Sequence, residues 1–274
     1  MKLKKMDKTP FRPKKSLGQN FLKDENIARK IVSAIALTPN DRVLEIGPGT
    51  GVLTKYLVEQ AGAVTAVEID NTLAPQLAER YAGRPNFELI HADVLKIPFA
   101  ATLGNAAKWR VVANLPYHIT SPVLFRLFEN SRLFLDATLM VQKEVAQRIV
   151  AAPGSKTYGI LSVFSQLYAD VNILFIVSRN VFFPVPDVDS AVVHWKFKDG
   201  LPLTESEEPL FRSVVRGVFA QRRKMLRNSL KSIQDLNVAI EQLDFNLNQR
   251  PEQLSVHDFI MLIRHILSLR PAIQ

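Results

Sequence analysis

Between residue 42 and about residue 150, short apolar runs alternate with stretches whose apolar residues recur every three to four positions. The runs predict strands starting near Val43, Val64, Phe87, Val111 and Thr138. The periodic stretches predict helices over about 51–60, 71–82, 120–130 and 143–150. Such alternation implies parallel βαβ units wound into an α/β sheet with helices on both faces. Upstream, Ile27, Ile31, Val32 and Ile35 recur at helical spacing behind Asp24, a residue suited to cap a helix. Downstream, Gly159–Tyr168 reads as a further helix, and Val171–Val177 with Ala191–Phe197 as a closing antiparallel pair. Between those two strands lies a loop, Val181–Ser190, stiffened by Pro184 and Pro186. Asp199-Gly200-Leu201-Pro202 reads as a linker, and beyond about residue 207 only helical periodicity remains, as in Leu210, Val214, Val215, Val218 and Phe219. The predicted organisation is a flexible tail over 1–15, an α/β domain over 16–200 and a small all-helical domain over 201–274.

Composition adds constraints. A chain of 274 residues that is 47% hydrophobic can bury cores for one large and one small domain. The absence of cysteine excludes disulfides and thiolate chemistry, and suits a reducing cytoplasm. No apolar run approaches the ~20 residues of a membrane span, and the basic start lacks the apolar core of a secretory signal. With no heptad pattern, a monomer is the default expectation. The formal net charge of +9 is clustered. Lys2, Lys4, Lys5, Lys8, Arg12, Lys14 and Lys15 crowd the start, and Arg216, Arg222, Arg223, Lys224, Arg227 and Lys231 form a second group. Two such clusters predict a polyanionic partner, since phosphate neutralisation drives nucleic-acid binding.

The candidate chemistry begins at Glu45-Ile46-Gly47-Pro48-Gly49-Thr50-Gly51, where a buried strand breaks into a glycine turn and re-enters as a helix. Glycines allow positive φ and close approach of a ligand. A phosphate-cradling P-loop needs Gly-Lys-Ser/Thr, but Gly51 is followed by Val52 and Leu53. A dinucleotide turn wants a third Gly or Ala where Val52 stands, which disfavours an NAD-dependent oxidoreductase. The remaining pattern, E-x-G-x-G-x-G, resembles the turn of S-adenosylmethionine methyltransferases. Glu68 ends the next strand and is placed to accept from both hydroxyls of a ribose. Asp93 follows the third, where it resembles the carboxylate that in such methyltransferases accepts from the donor's adenine amino group. Either acid alone reads as a surface carboxylate; both at successive strand ends point to a ligand edge.

After the fourth strand stands Asn114-Leu115-Pro116-Tyr117. Taken alone, an Asn-x-Pro is as readily a structural turn. Next to a methyl-donor turn it becomes two oxygen acceptors beside an aromatic plate, because Pro116 is rigid and biases Leu115 to extended backbone. That set grips the exocyclic amine of a stacked base, and no nucleophile, metal or general base is assigned.

Several segments occur in a fixed order: Gly18-Gln19-Asn20-Phe21-Leu22, the Glu45 turn, Asn114-Leu115-Pro116-Tyr117, Tyr158-Gly159-Ile160-Leu161-Ser162, Asp189-Ser190-Ala191-Val192-Val193 and Gln221-Arg222-Arg223-Lys224 with Arg227-Asn228-Ser229-Leu230. Together they resemble the ribosomal RNA adenine dimethyltransferases, over roughly 14–265, in the branch that acts on the small subunit. The resemblance implies a Rossmann-like methyltransferase fold and conversion of two adjacent adenosines in the 3′-terminal hairpin loop of 16S rRNA to N6,N6-dimethyladenosine. It implies that Asn20, Leu22, Gly47, Gly49, Glu68, Asp93 and Asn114 hold S-adenosylmethionine. Asn114, Leu115, Pro116 and Tyr117 would handle the target base, with Phe182 as the wall opposite Tyr117. Lys14, Lys15, Arg222, Arg223, Lys224 and Arg227 would contact RNA of the immature small subunit. Val181 and Asp187 depart from the family pattern, which expects a small residue and a lysine there. A chain serving mainly as a ribosome-assembly checkpoint, with methylation as a release mark, is the alternative.

Overall fold

The computed structural model describes residues 17–233, 236 and 238–269, so the basic tail with Lys14 and Lys15 lies outside the described residues. A two-residue strand, β1 (Phe21–Leu22), leads through Asp24 into α1 (Glu25–Ile35). The Asp24 carboxylate accepts from the N–H groups of Asn26 at 2.7 Å and Ile27 at 3.2 Å, as a capping residue does. Ile31, Val32 and Ile35 are buried on one face of α1, as their spacing predicts.

The alternating region forms β2 (Arg42–Ile46), α2 (Thr54–Gln60), β3 (Ala63–Glu68), α3 (Leu73–Tyr81), β4 (Phe87–His91), α4 (Phe99–Leu103), β5 (Trp109–Asn114), α5 (Thr120–Glu129) and β6 (Phe134–Gln142). After α6 (Lys143–Ile149) and α7 (Ile160–Tyr168) come β7 (Ala169–Val177), β8 (Phe182–Phe183) and β9 (Ser190–Phe197). The main sheet has the order β4-β3-β2-β5-β6-β9-β7. Its first five strands run parallel, and β9 pairs antiparallel with β6. This is the Rossmann-like sheet, closed by one antiparallel strand, that the resemblance implies. Strand order moves one way from β2 through β3 and the other way through β5, so a crevice opens at the carboxyl ends of β2 and β5.

Several details differ from the sequence expectations. Helix α2 starts at Thr54 rather than Gly51, because Gly51 has φ +81°, outside the right-handed helical range. Strand β6 begins at Phe134, well before Thr138. Its charged member Asp136 masks the apolar run, yet is buried in an ion pair with Arg110 of β5 at 2.6 Å. The short helix α4 was not expected. Nor was the pairing of β1 with β8, which sets Phe21 opposite Phe183 and Leu22 opposite Phe182.

Packing divides the chain into two compact units: residues up to Ala146 with Val171–Phe197, and Gln147–Asp170 with residues from Lys198 onward. The sequence places the divide near residue 200; by packing, α7 belongs with the helical unit. That unit holds α8 (Glu207–Ala220), α9 (Leu226–Leu230) and α10 (Val256–Leu269). Its core is aromatic, with Phe164 edge-on to Phe211 at 6.1 Å and Phe211 edge-on to Phe259 at 6.3 Å. Among the described residues, no helix is long and apolar enough to cross a membrane.

Candidate active site

The loops after β2, β3, β4 and β5 surround a cavity of about 260 Å³, with the segment from Leu17 to Leu22 along one side. Besides the pairing of β1 with β8, side-chain hydrogen bonds fasten that segment. Gln19 Nε2 donates to Asp70 Oδ2 at 2.9 Å, and the backbone carbonyl of Asn20 accepts from Asn114 Nδ2 at 3.2 Å. Asn20, Leu22, Gly47, Gly49, Glu68, Asp93, Asn114, Leu115 and Pro116 all line this cavity. Most of the predicted donor-binding and catalytic residues are therefore gathered in one place.

Gly47 and Gly49 have φ of +65° and +60°, which side chains rarely adopt. A Cβ on Gly49 would come within 3.1 Å of the Phe21 ring, whereas one on Gly47 would meet nothing within 4 Å. The glycine N–H groups are all used internally. Gly47 donates to Val67 O at 2.9 Å, Gly49 to Glu68 Oε2 at 3.0 Å and Gly51 to Pro48 O at 2.9 Å. A phosphate site aims such N–H groups at the anion. With all three turned inward, the loop is shaped against a pyrophosphate and leaves recognition to side-chain acceptors.

Three carboxylates supply those acceptors. Glu68 is 4% exposed; its Oε1 takes the Asp70 N–H at 2.9 Å and its Oε2 takes Gly49. Each oxygen retains a second lone pair, enough for two hydroxyls. Asp93 Oδ1 accepts from Leu95 N–H at 2.9 Å, while Oδ2 has the exposed Lys96 ammonium 3.9 Å away. Glu45, quoted in the turn motif but given no role, is 1% exposed on the cavity wall with neither oxygen hydrogen-bonded. Burial pushes its carboxyl up to about 8; Thr54 opposes the rise in part and the nearby Glu68 adds to it.

Asn114 ends β5, as its position predicts, and Pro116 is followed by a tight turn over Tyr117–Ile119. Asn114 donates one amide N–H to Asn20 O, an orientation that leaves its Oδ1 as an acceptor on the other side of the amide. Tyr117 is half-buried, and its hydroxyl lies 3.0 Å from Ser190 Oγ. Phe182 departs from its expected place. It is 1% exposed and packs in the core with Leu22, Met140, Val177 and Val192. Neighbours on a strand face opposite sides, so the pairing that turns Phe182 inward leaves Phe183 51% exposed. Sequence reasoning missed Phe21 and Ile69 as cavity residues. The signal for Ile69 is an apolar residue directly after a strand-ending acid; here it is 47% exposed.

Of the proposed RNA contacts, Arg223, Lys224 and Arg227 are exposed. Arg222 is instead held by its own unit. It donates to Lys156 O at 2.7 Å and lies 3.9 Å from Glu252. Lys231 pairs with Glu241 at 2.6 Å, and Arg216 lies over the Phe164 ring.

Residues 10–266 match the family described as ribosomal RNA adenine dimethylase. The ribosomal RNA small subunit methyltransferase A of Chlorobium phaeobacteroides is 46% identical over 258 residues, covering 94% of this chain and 95% of the relative. Its namesake from Chlorobaculum tepidum is 48% identical, with 94% and 90% covered. Among solved structures, a dimethyladenosine transferase from Plasmodium falciparum aligns with a TM-score of 0.76 at 31% identity, covering 90% of this chain and 97% of that one. The 23S rRNA methyltransferase ErmE aligns at 0.66 with 26% identity, covering 90% and 99%. With nearly the whole chain matched by the family and by relatives end to end, this protein belongs to the ribosomal RNA adenine dimethylase family.

Proposed function

We propose that the cavity takes S-adenosylmethionine and that the chain methylates N6 of two adjacent adenosines in the 3′-terminal hairpin loop of small-subunit rRNA. The residues present fit the donor. Glu68 keeps acceptor capacity for two ribose hydroxyls, and Asp93 Oδ2 for an adenine amine. The unpartnered Glu45 carboxyl complements a ligand carrying a sulfonium and an ammonium. When bound, S-adenosylmethionine supplies an electrophilic methyl group on sulfur.

The observation that carries the reading is the orientation of Asn114, whose amide nitrogen is turned to the Asn20 carbonyl and donates one N–H to it. Its Oδ1 can then accept one N–H of the target amine, and the Leu115 carbonyl the other. Both bonds favour a pyramidal nitrogen with its lone pair free. With the donor bound, that lone pair would be placed to take the methyl group, whose former bonding pair would stay with sulfur, and the surplus N6 proton would leave to water. Tyr117 offers a stacking face worth about 1–3 kcal/mol. A base in a loop is also easier to extract than a paired one. In the second round the amine has one N–H, so one acceptor goes unfilled. Phe182, buried as it is, is not assigned to the slot.

The test is Asn114→Ala on a hairpin RNA at saturating donor. The rate should fall at least about a hundredfold, the scale of losing one positioned transition-state partner; turnover within threefold of the parent would refute the acceptor role. The exposed Arg223, Lys224 and Arg227 can hold RNA without chemistry, which supports a late role in small-subunit assembly. In cells, the Asn114→Ala chain should then delay subunit maturation more than deletion does.

A further inference from the structure

The Tyr117 hydroxyl and Ser190 Oγ lie 3.0 Å apart, and Ser190 is completely buried at the start of β9. Tyr117 belongs to the turn after β5, and β6 lies between β5 and β9 in the sheet. The bond therefore ties the turn to a strand two places away. Ser190 itself has little freedom. It pairs with Gln142 of β6 in the antiparallel ladder. The preceding Asp189 is held at both ends: its Oδ1 accepts from Arg179 N–H at 3.0 Å and its carbonyl from Lys143 N–H at 3.0 Å. At the other end, Tyr117 follows Pro116, whose carbonyl accepts the Ile119 N–H at 3.1 Å. The backbone of the turn is thus fixed, and the ring keeps two side-chain torsions. A hydroxyl tether at the far end of the ring limits both.

We propose that Ser190 is a positioning residue for the methyl transfer, holding the Tyr117 ring at the tilt in which it stacks on the target adenine. This rests on the reading that Tyr117 is the stacking face. Packing alone gives no reason for a hydroxyl at position 190. The next residues, Ala191 and Val192, are apolar and equally buried, and an alanine would fill the same space without leaving a polar atom to satisfy. A ring fixed before the base arrives lowers the ordering that the reactive complex requires, so the contribution belongs to turnover rather than to RNA capture.

The experiment is a double-mutant cycle of Ser190→Ala, Tyr117→Phe and the pair, on full-length protein with a hairpin RNA and S-adenosylmethionine. One hydrogen bond of this kind corresponds to about a three- to tenfold loss in kcat for either single variant. The KM for RNA, the affinity for S-adenosylhomocysteine and the melting temperature should stay near the parent values. The double variant should be no slower than the slower single one, because both remove the same contact. Losses that multiply, or a Ser190→Ala chain with the parent kcat, overturn the inference while leaving the methylation reading intact. So does a Ser190→Ala chain that loses thermal stability and donor affinity but keeps its kcat per folded molecule. A parent chain that methylates no adenosine overturns that reading, and the inference with it.

Discussion

Glu45 gives the sharpest quantitative test. Its carboxyl is buried with both oxygens unpartnered, and burial moves it from an ordinary value of 4.5 up to about 8. In the folded chain it binds a proton that the unfolded chain has released at any pH between those values. Stability attached to this group is therefore full below the unfolded value and declines as pH rises through the folded one. At 1.36 kcal/mol per pH unit, the interval corresponds to a few kcal/mol, of which roughly half falls between pH 6 and pH 9. Glu45→Gln keeps the shape and cannot titrate. Equilibrium urea unfolding followed by tryptophan fluorescence reports the right unit, since Trp109 and Trp195 are both buried in the sheet that carries Glu45. The parent should lose roughly 2–3 kcal/mol relative to Glu45→Gln from pH 6 to pH 9. Parallel pH profiles for the two proteins would show that the carboxyl is solvated, and would remove its complementarity to a cationic ligand from the case for the donor. If it holds, S-adenosylmethionine should gain affinity with pH more steeply than the less cationic S-adenosylhomocysteine.

Glu68→Gln places an NH2 against backbone N–H groups of Gly49 or Asp70, and should weaken donor binding at least about tenfold by calorimetry. Changing Arg223, Lys224 or Arg227 to Ala should each lower RNA affinity and reduce the slope of log affinity against log salt by about 0.7–0.9. Arg222→Ala should instead reduce the melting temperature, because it strips a donor from Lys156 O and a cation from Glu252. Asp24→Ala should cost about 1 kcal/mol in urea unfolding while leaving kcat unchanged, since the lost contacts cap α1.

The sheet is readable in the chain because its inner parallel strands are covered on both faces and so are mostly apolar. Val43, Leu44 and Ile46 of β2 and Val64, Ala66 and Val67 of β3 show this, with Glu45 and Thr65 as the polar interruptions. The reading fails at Asp136, where a charge inside a buried strand is tolerated only because Arg110 from the neighbouring strand meets it. No property of residues 134–142 alone announces that partner. The unit boundary is hidden for a related reason. Helix α7 has ordinary helical periodicity, and its grouping with later helices is decided by Phe211 packing on Phe164.

The two halves of the site differ in the same way. Acceptor positions are local: a carboxylate at a strand end, or an amide before a proline, is directed by the residues beside it, and winding the sheet brings those ends together. Glu68, Asp93 and Asn114 could therefore be placed from spacing. Stacking walls depend on segments far apart in the chain. Whether Phe182 or Phe183 turns outward is set by a strand only two residues long, whose register comes from pairing with Phe21 and Leu22. A slip of one residue would exchange the two rings. The same dependence makes the Tyr117–Ser190 contact informative, because it joins a turn that the sequence announces to a strand whose place only the folded sheet reveals. On the proposed reading, base recognition rests on such long-range pairings, and substitutions that shift β9 should disturb methylation while leaving donor binding through Glu68 and Asp93 in place.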